Sequence, residues 1–149
     1  MDFKVESVVA CKEEVQELLE QHWEEVALNK DVIKLNPDWD QYKAMERAHM
    51  LKTFIARDNG KVVGYFVVTV TRSMHHKDHL FAHNDVIYLH PDYRKGLAGA
   101  RLVKFAEKEL KRMGVSVLTI NTKLHRPFSK LLEFLKFKPE ETVYSKRVV

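Results

Sequence analysis

The chain has 149 residues, of which 45% are hydrophobic and 31% are charged. This length and composition predict one domain, residues 1–149, with a packed interior and a solvated surface. No apolar run approaches the ~20 residues that a membrane-spanning helix needs, and the first residues lack the basic-then-apolar pattern of a signal peptide. Cys11 is the only cysteine, which excludes an intrachain disulfide and a thiolate metal cluster. A cytoplasmic protein is therefore expected.

The charge balance is slightly basic. Lys and Arg number 25 against 21 for Asp and Glu, so the net charge is +4. A nucleic-acid surface usually shows a denser basic stripe with aromatic residues between the charges. A nucleic-acid partner is therefore not expected, and the surplus suits a small polyanionic ligand better.

The first half of the chain predicts a strand, two helices and a hairpin. Alternation favours a strand at the start, and apolar residues at helical spacing favour the helices. Asn59-Gly60 is a strong two-residue turn signal between two β-like runs. The expected elements are a strand at 3–9, helices at 12–28 and 39–51, and hairpin strands at 53–57 and 62–72.

The second half predicts further strands that alternate with helices. Gly114 is expected to stop the longer helix, and the strand that follows it is apolar enough to be central in a sheet. The expected elements are strands at 80–89 and 115–120, helices at 97–113 and 127–135, and a final strand formed by 142–144 and 148–149. Hairpins together with alternating strands and helices predict an α/β (α+β) domain with a mixed sheet flanked by helices.

The most informative segment is Leu89–Leu102, in which a strand exit, a short basic turn and a helix start follow one another. The first N–H groups of a helix have no intrahelical partner, and the helix dipole is positive at that end. Gly96 and Gly99 carry no Cβ, so an anion can approach the backbone closely. Arg94 and Lys95 add positive charge. The segment therefore predicts a phosphate or pyrophosphate site.

The same segment lacks the Gly-Lys-Ser/Thr ending of a Walker loop and the Gly-x-Gly-x-x-Gly of a dinucleotide fold. It resembles motif A of the GNAT (GCN5-related) N-acetyltransferases, which is written Arg/Gln-x-x-Gly-x-Gly/Ala after a strand. Arg94 matches the Arg, Gly99 the final Gly, and Leu89-His90-Pro91 the strand exit. Leu97 stands where the family has its first Gly.

The resemblance covers nearly the whole chain, and residues 131–137 are similar to the family's final helix end. It implies a GNAT-like acyl-CoA N-acyltransferase fold with a mostly antiparallel central sheet. The strands before and after the motif helix would splay apart to admit acetyl-CoA as co-substrate. Residues 35–39, 79–85 and 144–147 look like a branch of small family members found in bacteria and their phages.

The resemblance also implies which residues would bind the cofactor. Main-chain N–H groups from Lys95 to Ala100 would hold the pyrophosphate. The backbone of Tyr88 and Leu89 would hold the pantetheine arm like an added strand, and the N–H of Leu89 or its neighbour would polarise the thioester carbonyl. Asn121 stands where the family often has a cofactor-contacting Asn, although a polar strand cap is an alternative. The full set is Tyr88, Leu89, Arg94, Lys95, Gly96, Leu97, Ala98, Gly99, Ala100, Asn121 and Ser129.

Acetyl transfer to an amine calls for a base, because an alkyl amine with a pKa near ~10.4 is mostly protonated at pH 7. Asp85 is the first candidate, since many family members carry a carboxylate on this strand, and a strand-end carboxylate is the alternative interpretation. His83, two residues away, is the alternative base. The family's acid is often a Tyr at the position that Leu132 occupies here. Tyr144, otherwise a packing residue, and His125 are the substitutes.

Other features carry less chemistry. The histidine cluster within residues 75–79 lacks the spacing of a metal site, so no metal is expected. Trp39 and Tyr42 fit a core pattern but could instead line the acceptor pocket. Cys11 is far from the motif in sequence and gives no support to a covalent intermediate.

The leading hypothesis is an acetyl-CoA-dependent N-acetyltransferase that acts by direct attack of a primary amine in a ternary complex. The alternative is a non-catalytic acyl-CoA-binding or interaction module, which Leu97 and Leu132 motivate. A basic nucleic-acid-binding domain is the third hypothesis. The acceptor, a small-molecule or protein amine, and a homodimer, which is common in the family, stay open.

Overall fold

The structure, a computed structural model, describes every residue from Met1 to Val149. It contains five strands, four α-helices and one short 3-10 turn at Pro91–Tyr93. In chain order these are β1 (Asp2–Val5), α1 (Lys12–Val26), α2 (Trp39–Arg47), β2 (Leu51–Asp58), β3 (Lys61–Arg72), β4 (Leu80–Leu89), α3 (Ala98–Arg112), β5 (Val115–Thr119) and α4 (Ser129–Phe134).

The strands form one mixed sheet in the order β1-β2-β3-β4-β5. The first three pairs are antiparallel, and β4 with β5 is parallel, which confirms the predicted fold class. Helices α1 and α2 pack on one face through an apolar cluster centred on Val15, Ile55 and Tyr65. Helix α3 packs on the other face against Phe54 and Phe66. None of the helices has both the length and the apolar character to cross a bilayer.

The two turns that the sequence marked are present. Asn59 and Gly60 have φ values of 49° and 83°, as a two-residue hairpin turn between β2 and β3 requires. Gly114 has φ 85° and follows the end of α3, so the predicted stop is confirmed. The first two helices are shorter than expected. Helix α2 ends at Arg47 because His49, at φ 57°, turns the chain into β2.

The prediction that the strand at 115–120 lies in the centre of the sheet is wrong. β5 pairs only with β4 and forms the edge of the sheet, and Val117 is exposed. An apolar run indicates a strand but carries no information on how many neighbours that strand has. Its position was therefore decided by the tertiary structure.

The predicted final strand is also wrong. Residues 138–149 are all exposed and pair with no strand. The only side-chain hydrogen bonds of this tail are the two that Arg147 donates to the Asp31 carboxylate, at 2.9 and 3.0 Å. β-propensity describes how well a residue fits a pleated, half-buried surface, and the tail meets no such surface within its own chain.

Candidate active site

The central feature of the site is the separation of β4 from β5. The last residue pair between them is His83 with Thr119, while β4 continues to Leu89. Directly beyond that pair, the Asn84 Oδ1 atom accepts a hydrogen bond from the backbone N–H of Asn121 at 2.7 Å. This contact marks the point at which the strands diverge, and the second half of β4 therefore faces an open cleft.

The cleft has a volume of about 940 Å³, which lies within the range of small-molecule and cofactor sites. Its walls are β4, the end of α1, the start of α3 and the loop that leads to α4. Eight of the sequence-predicted residues line it, namely Asp85, Tyr88, Leu89, Arg94, Gly96, Gly99, Ala100 and Asn121. Six do not line it, namely His83, Lys95, Leu97, Ala98, Ser129 and Tyr144.

The first turn of α3 presents free N–H groups at one end of the cleft. The helix begins at Ala98, and its first backbone hydrogen bond runs from Arg101 N–H to Leu97 O at 2.9 Å. The N–H groups of residues 98–100 therefore have no acceptor within the helix. A Cβ on Gly99 would lie 3.3 Å from Leu131 Cδ2, so glycine keeps this approach open.

Leu97 departs from the family motif without distorting the turn. Its φ of −92° and ψ of 3° are ordinary for an L residue, so no glycine is required there. Its side chain is 66% exposed and points away from the packed interior. The missing family glycine therefore leaves the backbone of the turn intact.

Arg94 does not point freely into the cleft. Its guanidinium donates two hydrogen bonds to the Glu25 carboxylate at 2.7 and 2.8 Å, and its Nε donates to Leu89 O at 2.8 Å. The guanidinium also lies 5.0 Å from the ring centroid of Tyr88. The Arg94 hydrogen bonds hold the pKa of Glu25 below its usual value. Arg94 thus joins the end of α1 to the exit of β4.

Asp85 occupies a β-bulge in β4. Val67 and Val68 of β3 pair with Val86 and Asn84, so Asp85 between them has no partner across the ladder. Its carboxylate is exposed to the cleft and accepts a hydrogen bond from the Tyr42 hydroxyl. Burial and the Asp85 carboxylate raise the pKa of Tyr42 above its usual value. Tyr42 therefore stays protonated and orients the carboxylate.

Of the other catalytic candidates, only His125 lies in the cleft. The His83 ring is exposed, and its Nδ1 atom lies 2.5 Å from Thr119 Oγ1, outside the cleft. The bulge breaks the strand alternation that would have placed His83 and Asp85 on one face. Tyr144 is 91% exposed in the tail. Leu132, at the family's Tyr position, is buried, whereas His125 lines the cleft.

Several cleft residues were not identified from the sequence. Glu25 and His22 come from the last turns of α1, and Lys123 and Arg126 come from the loop after β5. His22 stands at helical spacing from Val15 and Leu18 of α1, so the sequence alone favours a core position for it. Its ring stacks on Tyr88, with centroids 4.7 Å apart. Only the packing of α1 against β4 brings it to the cleft.

A bulged strand that separates from its parallel neighbour, beside a helix start with free N–H groups, belongs to the acyl-CoA N-acyltransferase class of fold. The sequence matches the model of the Acetyltransferase (GNAT) family over residues 12–134. The chain therefore belongs to the GNAT acetyltransferase family. No curated protein matches the sequence significantly.

Solved structures share the fold over the whole chain. A ribosomal-protein-alanine N-acetyltransferase from Brucella melitensis superposes with a TM-score of 0.73 at 17% identity, covering 99% of both chains. Glucosamine-6-phosphate N-acetyltransferase from Arabidopsis thaliana gives 0.72 at 15% identity and 100% of both chains. An aminoglycoside N-acetyltransferase in complex with CoA gives 0.72 at 16% identity and 98% of both chains. The acceptors named for these proteins differ.

Proposed function

We propose that the protein transfers an acetyl group from acetyl-CoA to a primary amine by direct attack in a ternary complex. The observation that carries this proposal is the cleft between β4 and β5, which leads from the free N–H groups of α3 to the Asp85 carboxylate. Membership of the GNAT family and the fold shared with a CoA-bound acetyltransferase support it. Acetyl-CoA is accordingly the co-substrate, and no metal is part of the proposal.

The start of α3 would hold the pyrophosphate. Its unpaired N–H groups and positive helix end favour an anion, and Gly99 leaves room for it. Lys123 and Arg126 line the opposite wall of the cleft and add positive charge. Lys95, Leu97, Ala98 and Ser129 lie beside this end, so any contact they make would be through the backbone or the rim.

The second half of β4 would hold the pantetheine arm and the thioester. The His90 N–H donates to Val63 O of β3 at 2.8 Å. N–H groups alternate in direction along a strand, so those of Ile87 and Leu89 point away from β3 toward the cleft. The Leu89 carbonyl already points that way, since it accepts from Arg94. These N–H groups would bind the pantetheine and polarise the thioester carbonyl.

Asp85 would remove the proton from the amine, directly or through a water. An amine with a pKa near ~10.4 costs roughly 4–5 kcal/mol to deprotonate at pH 7. The free amine attacks the carbonyl carbon, and its electrons move to the oxygen. Collapse of the tetrahedral intermediate expels the CoA thiolate. Because a thiol has a pKa near ~8.5, the thiolate leaves without an obligatory acid, which accords with the burial of Leu132 and the exposure of Tyr144.

The acceptor is proposed only as a primary amine of a small molecule or a protein. The α2 helix, with Trp39 and Tyr42, lies on the side from which the acceptor would reach Asp85. A cytoplasmic location and a homodimer are further parts of the proposal. Neither a membrane nor a nucleic acid enters it as a partner.

One observation favours a second candidate, a non-catalytic acyl-CoA-binding module. Leu132 replaces the family's Tyr and lies buried in α4, so that position offers no hydroxyl to the cleft. This candidate predicts that acetyl-CoA binds but that no amine is acetylated. Release of CoA thiol across a panel of protein, aminoglycoside, polyamine and amino-sugar amines separates the two candidates.

Calorimetric titration with acetyl-CoA tests the shared part of both candidates. We expect micromolar binding to the wild type, and a loss of at least about 30-fold, or ~2 kcal/mol, in Gly99→Glu. The added carboxylate would stand where the pyrophosphate binds. Gly99→Ala is the matched control, since its Cβ would meet only the ends of the Leu131 and Leu89 side chains, at 3.3 and 3.9 Å. Absence of wild-type binding, or full binding by Gly99→Glu, would overturn the assignment.

A further inference from the structure

His22 is the one ionisable side chain of α1 that enters both the core and the cleft. Its Nδ1 atom lies 2.8 Å from the Tyr65 hydroxyl, and its ring stacks on Tyr88 at 4.7 Å. The ring also lines the cleft between β4 and β5. Because Nδ1 is turned to Tyr65, Nε2 is the nitrogen available to the cleft, and no group of the chain is hydrogen-bonded to it.

The contact with Tyr65 decides which nitrogen carries the proton. The Tyr65 side chain is 1% exposed, and His22 Nδ1 is the only acceptor that the chain offers to its hydroxyl. Leaving a buried donor unpaired costs about 1–3 kcal/mol. Tyr65 therefore donates to Nδ1, and the ring proton resides on Nε2. Burial lowers the pKa of His22 to about 4, so the ring is neutral at pH 7.

The position of His22 along β4 is that of the reacting group. The pyrophosphate end of the cleft lies at the start of α3, and Asp85 lies at the other end of the open part of β4. Tyr88 is between them, three residues or about 10 Å from Asp85 along the strand. A row of groups that runs from a carboxylate through a water and an amine to a carbonyl has a similar length. If Asp85 holds the attacking amine through a water, the carbonyl oxygen of the thioester would therefore lie near His22.

We propose that His22 is a catalytic hydrogen-bond donor whose Nε2–H binds the oxygen of the acetyl thioester carbonyl and stabilises the negative charge of the tetrahedral intermediate. Tyr65 is its positioning residue, since it selects the Nε2–H tautomer. The inference rests on the proposed acetyltransferase function. No proton moves to or from His22: the amine forms the new C–N bond, the carbonyl π electrons move to the oxygen, and the C–S bond then breaks.

A neutral imidazole suits this role. It supplies a donor that Tyr65 holds in place, and one such preorganised donor is worth about 10²–10³ in rate. A charged imidazolium in the same position would cost more free energy, because burial disfavours the charged form. Glu25, Arg94 and Lys123 are the charged groups that face the ring, and the two cations oppose its protonation while Glu25 favours it.

The binary complex gives the first test. Acetyl-CoA isotopically labelled at the acetyl carbonyl is bound to the wild type, to His22→Leu and to His22→Gln, and the carbonyl stretch is read by difference infrared spectroscopy. We expect a shift to lower frequency in the wild type, most of which is lost in His22→Leu and kept in His22→Gln, whose amide is an uncharged N–H donor. Absence of binding in the wild type would overturn the proposed function. Binding with a carbonyl frequency that His22→Leu leaves unchanged would overturn this inference alone.

Kinetics give the second test once an acceptor is found. His22→Leu should lower kcat about 100-fold while the Kd for acetyl-CoA stays within about threefold, and His22→Gln should recover at least about tenfold of the loss. Tyr65→Phe should lower kcat although His22 is still present, because without the Tyr65 hydroxyl the ring proton of His22 is no longer confined to Nε2. Loss confined to the Kd, or an equal loss of kcat in the Leu and Gln variants, would show a packing role and refute the proposal.

Discussion

The guanidinium of Arg94 is bound to the carboxylate of Glu25 by two hydrogen bonds of 2.7 and 2.8 Å, so the arginine of the turn before α3 is tied to α1. The sequence predicts that Arg94 offers its positive charge to a phosphate. In the structure, Arg94 instead links the end of α1 to the end of β4. The link holds α1, and with it His22, against the ring of Tyr88.

This pair can be tested by a double-mutant cycle. Arg94→Ala, Glu25→Ala and the double variant should show a coupling in the free energy of unfolding of about 0.5–1 kcal/mol, because both side chains are partly exposed and solvent screens them. Both single variants should weaken acetyl-CoA binding by similar factors, read by calorimetry. Tighter binding by Glu25→Gln together with weaker binding by Arg94→Ala would show instead that Arg94 leaves Glu25 for the phosphate.

Asp85 and His83 can be separated as bases. Asp85→Asn should lower kcat by about 10²–10⁴, and His83→Gln by no more than about threefold, since His83 lies outside the cleft. The deficit of Asp85→Asn should shrink as the pH rises toward the pKa of the amine, because the acceptor then loses its own proton. A pH-independent deficit would contradict a role in deprotonation. Tyr42→Phe should show a smaller loss of the same kind.

The pKa of His22 predicts a pH dependence of stability. Its folded-state value of about 4 lies below the ordinary 6.5, so between these values the unfolded chain binds the extra proton and the free energy of unfolding rises with pH. The contribution is complete above about pH 6.5, is lost toward pH 4, and amounts to at most about 3 kcal/mol. Urea unfolding at pH 4 and pH 7 should show a smaller pH difference in His22→Gln than in the wild type. Equal differences would place the titration elsewhere.

Asn84 is expected to hold the point at which the strands diverge. Asn84→Ala removes the acceptor of the Asn121 N–H and should cost about 1 kcal/mol of unfolding free energy, with weaker acetyl-CoA binding. Asn84→Asp keeps an oxygen acceptor at the same place and should bind acetyl-CoA more tightly than the Ala variant. Chemical denaturation and calorimetry on the two variants check the prediction. Equal binding by both would show that the contact does not shape the cleft.

Tyr144 is expected to have no part in catalysis. Its side chain is 91% exposed on a tail that pairs with no strand. Tyr144→Phe should therefore leave kcat and the free energy of unfolding within the scatter of about 0.5 kcal/mol that surface substitutions show. A loss of activity beyond about tenfold would contradict the position of the tail in the structure.

Local features were predictable where the signal is local. The hairpin turn at Asn59-Gly60, the stop at Gly114 and the start of α3 all depend on backbone preferences of the residues themselves, and each is confirmed. Leu97 can stand where the family has a glycine because its backbone angles are ordinary for an L residue. The turn and the start of α3 also predicted Arg94, Gly96 and Gly99, which line the cleft.

Features that depend on distant residues were not predictable. β5 and the tail had the composition of strands, but their neighbours in space decided that one lies at the edge and the other pairs with nothing. Glu25 lies 69 positions from Arg94 along the chain, and Tyr65 lies 43 from His22. No local pattern in α1 distinguishes Glu25 from a solvated residue, or His22 from a core residue, of an amphipathic helix.

The sequence by itself determined the class of fold and the turn that leads into α3, because periodicity, turn residues and helix starts act over a few residues of chain. Only the tertiary structure decided the length over which β4 and β5 stay paired, the bulge that exposes Asp85, and the contacts that bind Arg94 to Glu25 and His22 to Tyr65. The physical reason is that hydrogen bonds and burial are set by proximity in space. Packing α1 against β4 creates that proximity between residues far apart along the chain.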